Sequence, residues 1–137
     1  MKYLKKFNES SVGVEIDDNN NIVHTVDTLK EILQELMDEG IFSAEIETLN
    51  NSIRFAIDKP TNDVECIPFR WNEISNCIKR CDDYIISEGC QMNKIIVYFR
   101  DRNESTGTWN SIKEMEESKS ISKAINCMVF YYSEIEF

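Results

Sequence analysis

One side chain, His24, has an unperturbed pKa near neutrality, so acid–base chemistry at neutral pH would be expected to run through it. It stands in Ile22-Val23-His24-Thr25, next to a polar turn and a helix start. That setting fits a strand-end or capping histidine better than a catalytic one. Nucleophilic chemistry would fall to thiols, and Cys81 and Cys90 have Lys79, Arg80 and Lys94 nearby to favour thiolate. Cys77 and Cys81, however, are four apart on an apolar helical stripe, where cysteine packs as a small hydrophobe. Cys90, just past that helix, is the thiol expected to react most readily with a reagent.

Other site chemistries lack their residue patterns. The five cysteines, Cys66, Cys77, Cys81, Cys90 and Cys127, are odd in number and scattered, which suits reduced thiols better than a disulfide framework. With Cys77 and Cys81 as the tightest pair and His24 as the lone imidazole, no zinc site is expected, and no cofactor or other metal. Gly13, Gly40, Gly89 and Gly107 stand too far apart for a phosphate-cradling loop. Asp17 to Asn21 offers oxygen ligands, but no central glycine or closing glutamate stands at EF-hand spacing, so it reads as a solvated turn.

The carboxylates form the more suggestive set. Glu31, Glu35 and Asp38 recur along one side of the first predicted helix, and Glu45 and Glu47 share one face of the strand after it. Together they are candidates for a continuous acidic surface that docks a basic protein or imitates nucleic-acid phosphates; the plainer reading is a solvated face. The chain carries a formal net charge of -10. Residues 7–68 hold 14 acidic and 3 basic side chains, against 11 and 9 in residues 69–137. Such a balance repels phosphates, so direct nucleic-acid binding is not expected and a basic protein partner is favoured. Trp109, close to Arg100 and Arg102, is a further candidate contact, although a tryptophan opening an amphipathic helix usually packs inward.

The elements that must position these groups follow from periodicity. Val12, Val14 and Ile16 alternate as a short strand does, and Ile22, Val23 and Thr25 suggest a second. Leu29, Ile32, Leu33, Leu36 and Met37 mark a helix over residues 27–39, capped by Asp27 or Thr28 at its start and Gly40 at its end. Phe42, Ala44 and Ile46, then Ile53, Phe55 and Ile57, alternate on either side of Asn50 and Asn51, which predicts a β-hairpin. A second helix spans residues 71–88, with Trp71, Ile74, Cys77, Ile78, Cys81, Ile85 and Ile86 on its stripe and Gly89 closing it. Lys94 to Phe99 reads as a strand, 101–108 as a polar loop, 109–117 as a short helix, and 123–133 as a final buried strand.

At 137 residues the chain has the size of one domain, expected over residues 11–137 after a basic, aromatic lead at 1–10. The fold class is α+β: an antiparallel or mixed sheet of about five strands with two main helices on one face. A helix on each side of a central hairpin resembles in part the split βαβ, or ferredoxin-like, arrangement. No apolar run approaches the roughly 20 residues that cross a bilayer, and the lead lacks the apolar stretch of a secretory signal. The expectation is therefore a soluble cytoplasmic protein without membrane contact, its oligomeric state left open.

The lead itself, Met1-Lys2-Tyr3-Leu4-Lys5-Lys6-Phe7-Asn8-Glu9-Ser10, resembles the opening of many small proteins encoded by large tailed bacteriophages. The resemblance covers these ten residues and implies an accessory or virion-associated protein, located in the infected cell or the virion. Two functions remain in view. The first is a non-enzymatic accessory protein that binds a protein partner through its acidic surface, in virion assembly or host-factor inhibition. The alternative is a small enzyme or small-molecule-binding domain with His24, Cys90 or the Tyr131, Tyr132 pair at a pocket.

Overall fold

The structure, a computed structural model, describes residues 13–15, 23–38, 41–60 and 67–135. The lead at 1–10, the polar turn at 17–21, the Gly40 cap and Cys66 lie outside these residues.

Strand β1 (Gly13–Glu15) is followed by helix α1 (Val23–Met37), which begins one turn earlier than the periodicity predicts. Val23 and Thr25, β-branched and suggestive of a strand, form its first turn instead. Val26 explains the difference, since it sits three residues before Leu29 and extends the same buried stripe through Leu33, Leu36 and Met37. Tertiary burial thereby overrides local strand preference. Asp27 and Thr28 consequently lie within the helix and do not cap it.

Strands β2 (Ser43–Leu49) and β3 (Ser52–Asp58) form the expected hairpin, with Leu49 opposite Ser52 across the two-residue turn. Asn50 takes the left-handed conformation there, at φ 50°, which asparagine tolerates better than most residues. Helix α2 (Trp71–Ser87) starts where the Glu73 carboxylate accepts the Arg70 N–H at 2.7 Å. It ends at Gly89, whose φ of 89° releases the chain directly into β4 (Cys90–Phe99).

The predicted loop at 101–108 is in part a strand, β5 (Thr106–Trp109), paired antiparallel with β4. Trp109 therefore ends a strand and does not open a helix. Its indole meets Phe99 edge-on with centroids 6.3 Å apart. The short helix α3 (Ile112–Glu116) starts later, with Ser111 Oγ accepting the Glu114 N–H at 3.1 Å. A 3-10 turn (Lys119–Ser122) leads to β6 (Ile125–Glu134).

The six strands are ordered β1-β2-β3-β6-β4-β5 in one mixed sheet, β1 parallel to β2 and the other five strands mutually antiparallel. The class is α+β, with a helix before and after the hairpin, and β1 seated directly beside β2. Inward-facing residues form cross-strand rows, Ala44-Ile57-Met128-Val97 and Ile46-Phe55-Phe130-Ile95. The two helices cover these rows with their stripes. Phe55 and Phe130 stack with centroids 4.7 Å apart at the middle of this layer. Register shifts opposite Met92/Lys94 and Tyr98/Phe99 mark bulges, and the second lets Ile125 and Met128, three apart, both face inward.

Among the described residues, no helix covers the opposite face of the sheet. Glu47-Arg54-Tyr131-Lys94, Glu45-Ala56-Val129-Ile96 and Ser43-Asp58-Cys127-Tyr98 run across it as successive rows. Burial on this side runs from Val129 at 9% exposed near the middle to Tyr98 at 41% and Leu49 at 64%.

Candidate functional site

Alternation along β2 separates the five carboxylates expected to form one surface. Ala44, Ile46 and Thr48 are buried beneath the helices, so Glu45 and Glu47 point to the open side of the sheet. Glu31, Glu35 and Asp38 instead lie on the outer side of the helix layer. The structure thus brings together two groups, one on each side of the molecule.

On the helix side, Asp27 joins Glu31, Glu35 and Asp38 at spacings of four, four and three residues, which is a single helical stripe. All four are exposed. Spacing alone places Asp27 at the cap; the earlier start of α1 at Val23 puts it inside the helix and on the stripe. The Glu35 carboxylate takes a two-pronged contact from the Arg80 guanidinium, one arm at 2.8 Å, tying α1 to α2. That hydrogen bonding holds the Glu35 carboxyl below its ordinary range, against a smaller opposing effect of desolvation. Among the described residues, Asp27, Glu31 and Asp38 form no ion pair with a cation. Asp38 accepts the Gln34 amide at 3.2 Å.

On the open side, Glu47 pairs with Arg54 directly across the hairpin. The Arg54 guanidinium lies 6.0 Å and the Lys94 ammonium 4.8 Å from the centre of the Tyr131 ring, a cation–π arrangement. Three separate strands supply these groups, so only the register places them together. Lys94 has no carboxylate partner among the described residues.

The catalytic alternatives are placed less favourably. His24 lies in the first turn of α1. Cys90 is 1% exposed, and burial, followed by the charges of Glu134 and Glu88, raises its thiol pKa. The expectation that Cys90 is the most reactive thiol is therefore corrected: the strand starts immediately after Gly89 and carries Cys90 into the core. Cys77 and Cys81 pack in the seam between α1 and α2, where the Cys77 thiol donates to the Ile32 carbonyl at 3.4 Å. The hydrogen bond to Cys77, together with burial, pushes the Cys81 thiol far up.

Tyr131 and Tyr132, being neighbours on a strand, face opposite ways. Tyr132 is fully buried and its hydroxyl donates to Asp82 Oδ1 at 2.7 Å. Two concavities lie toward the hairpin-turn end of the sheet. One, of about 260 Å³, is lined by Glu47, Leu49, Arg54, Asn93 and Tyr131 among others. The other, of about 580 Å³, lies between Asn50, Asn51, Gln91, Ser133, Glu134 and Ile135. Cys90 lines neither. Among the described residues no group of three His, Cys, Asp or Glu converges as metal ligands would, and no helix is long and apolar enough to cross a membrane.

In comparisons with known proteins, no family model matches the chain and no curated protein matches it.

Proposed function

We propose that this chain is a non-enzymatic protein-binding module whose helix layer docks a basic patch on a protein partner. The single observation carrying this reading is the stripe of Asp27, Glu31, Glu35 and Asp38, exposed along α1 with only Glu35 answered by a cation among the described residues. Carboxylates stacked at helical spacing repel one another, so the stripe costs the isolated helix stability that a complementary surface would return. Lys30, the lone Lys or Arg of α1, flanks the stripe. The net charge of -10 supports the same choice of a basic partner over a nucleic acid.

The resemblance of residues 1–10 to the leads of tailed-phage proteins supports an accessory role. The partner would then be a virion component during assembly or a host factor that the protein blocks, and the protein would act in the infected cell's cytoplasm or in the virion. The test is capture from host lysate with the wild-type chain and with Asp27→Asn/Glu31→Gln/Asp38→Asn, at low and high salt. A stoichiometric basic protein retained by the wild type at low salt, and lost with either the variant or high salt, supports the reading. A partner held equally by both chains overturns it.

A further inference from the structure

The face of the sheet away from the helices is a second, independent surface, and one of its rows, Glu47-Arg54-Tyr131-Lys94, is complementary to itself in charge. We propose that this face pairs with the same face of a second copy of the chain, giving a two-fold symmetric dimer with the helix layers outward.

The argument rests on the strand order and register. In the order β1-β2-β3-β6-β4-β5, the middle of the sheet falls between β3 and β6. A two-fold axis parallel to the strands, in the plane of contact and above that midpoint, sets β3 of one copy over β6 of the other, and β2 over β4. Contact across such an axis is isologous, each patch meeting its own symmetry mate.

The row Glu47-Arg54-Tyr131-Lys94 then meets itself reversed. Glu47 of each copy faces Lys94 of the other, and Arg54 faces Tyr131. Lys94, without a carboxylate partner in its own chain among the described residues, gains one. The middle row sets Ala56 against Val129, which is 9% exposed, as a small apolar centre, and Glu45 against Ile96, with Lys94 one row away from Glu45. The row Ser43-Asp58-Cys127-Tyr98 is the least complementary, bringing Asp58 over Cys127 and Ser43 over Tyr98. Aligned sheet packing, at roughly 30° between strand directions, keeps the positions nearest the centre of the contact best matched.

Size agrees with charge. Four long strands about 4.8 Å apart and seven positions deep at about 3.3 Å each present ~440 Å² of flat face per copy. With β1 and β5 added at the margins, two copies bury roughly 1,000 Å², the lower end of a specific interface. Because α1 lies on the other side, the dimer would display two acidic stripes facing away from each other.

The test is the solution mass of the full chain by sedimentation equilibrium. Wild type is expected to approach twice the 16.0 kDa of one chain. Lys94→Glu and Glu47→Lys should each weaken self-association on the order of tenfold or more, because each homodimer then sets like charges face to face twice. Mixing the two variants should restore the dimer, since both cross-contacts become opposite pairs again. Lys119→Glu, with the same charge change off the sheet, should leave the dimer intact; it serves as the control if Glu47→Lys folds poorly. A wild type that stays monomeric into the millimolar range, association indifferent to Lys94→Glu, or a mixture that fails to pair would each overturn the proposal. None of these variants alters the α1 stripe, so failure here leaves the partner-binding reading standing.

Discussion

Replacing Tyr132 by phenylalanine removes one oxygen from a fully buried side chain and leaves its ring in place. That oxygen donates to Asp82 Oδ1 at 2.7 Å, joining β6 to α2 across 50 residues of sequence. The ring stacks on Phe55 at 6.0 Å and 8°, a contact that phenylalanine keeps. A hydrogen bond to a charged acceptor contributes about 1.5–3 kcal/mol. Asp82 is only half-buried, so its carboxylate regains some water when the phenol is gone, and the expected loss is about 1–2 kcal/mol. In thermal unfolding this corresponds to roughly 3–8 °C.

The pH dependence follows from the same contact. Burial raises the Asp82 pKa and the Tyr132 hydrogen bond lowers it, so Tyr132→Phe should raise it further. The stability difference between the two chains should therefore be largest toward high pH, where Asp82 is charged. It should shrink as pH falls through the two folded pKa values and Asp82 protonates. Urea unfolding followed by circular dichroism, at neutral pH and in acid, measures both. Equal stability at neutral pH, or a deficit that does not change with pH, would refute the reasoning.

Three further outcomes are expected. Glu104 sits at φ 47° in the β4–β5 loop, so Glu104→Gly should stabilise by about 0.5–1 kcal/mol in urea unfolding, and a loss would contradict the strain argument. In the native protein Cys77, Cys81 and Cys90 should label with a thiol reagent no faster than the protein unfolds; rapid labelling of Cys90, located by mass spectrometry, would show the buried placement wrong. Glu73 and Glu116 have lowered pKa values, chiefly from hydrogen bonds with Lys59 and Trp71 respectively. Their contribution is present above the ordinary carboxylate pKa and lost as pH falls through the lowered values, so stability should drop in acid, and Glu116→Gln should flatten part of that fall.

Much of the architecture was legible because its apolar residues keep strict periods. The hairpin around Asn50, the stripe of α2 and the buried strand β6 each show uninterrupted alternation or helical spacing, and local pattern and tertiary packing agree there. Failure came where burial and local preference pull apart. Val23 and Thr25 look like strand residues, and only the core contact of Val26 recruits them into α1. Thr106 to Trp109 is too short and polar to register as a strand until β4 supplies a partner.

The candidate surface was half-legible for a related reason. Helical spacing groups Glu31, Glu35 and Asp38 from sequence alone, and strand alternation groups Glu45 with Glu47. Nothing local says that β2 turns its carboxylates away from the helix above it. The cluster of Arg54, Lys94 and Tyr131, and the contact of Tyr132 with Asp82, depend on registers between distant segments that no spacing encodes.

The measurement that tests the central claim most directly is the affinity of the captured partner for wild type and for Asp27→Asn/Glu31→Gln/Asp38→Asn, titrated by calorimetry across a range of salt. Docking through the α1 stripe predicts that wild-type affinity falls steeply as salt rises, and that the variant binds weakly with a shallower slope. Equal affinities with parallel salt dependence would contradict it and move the partner's footprint off α1.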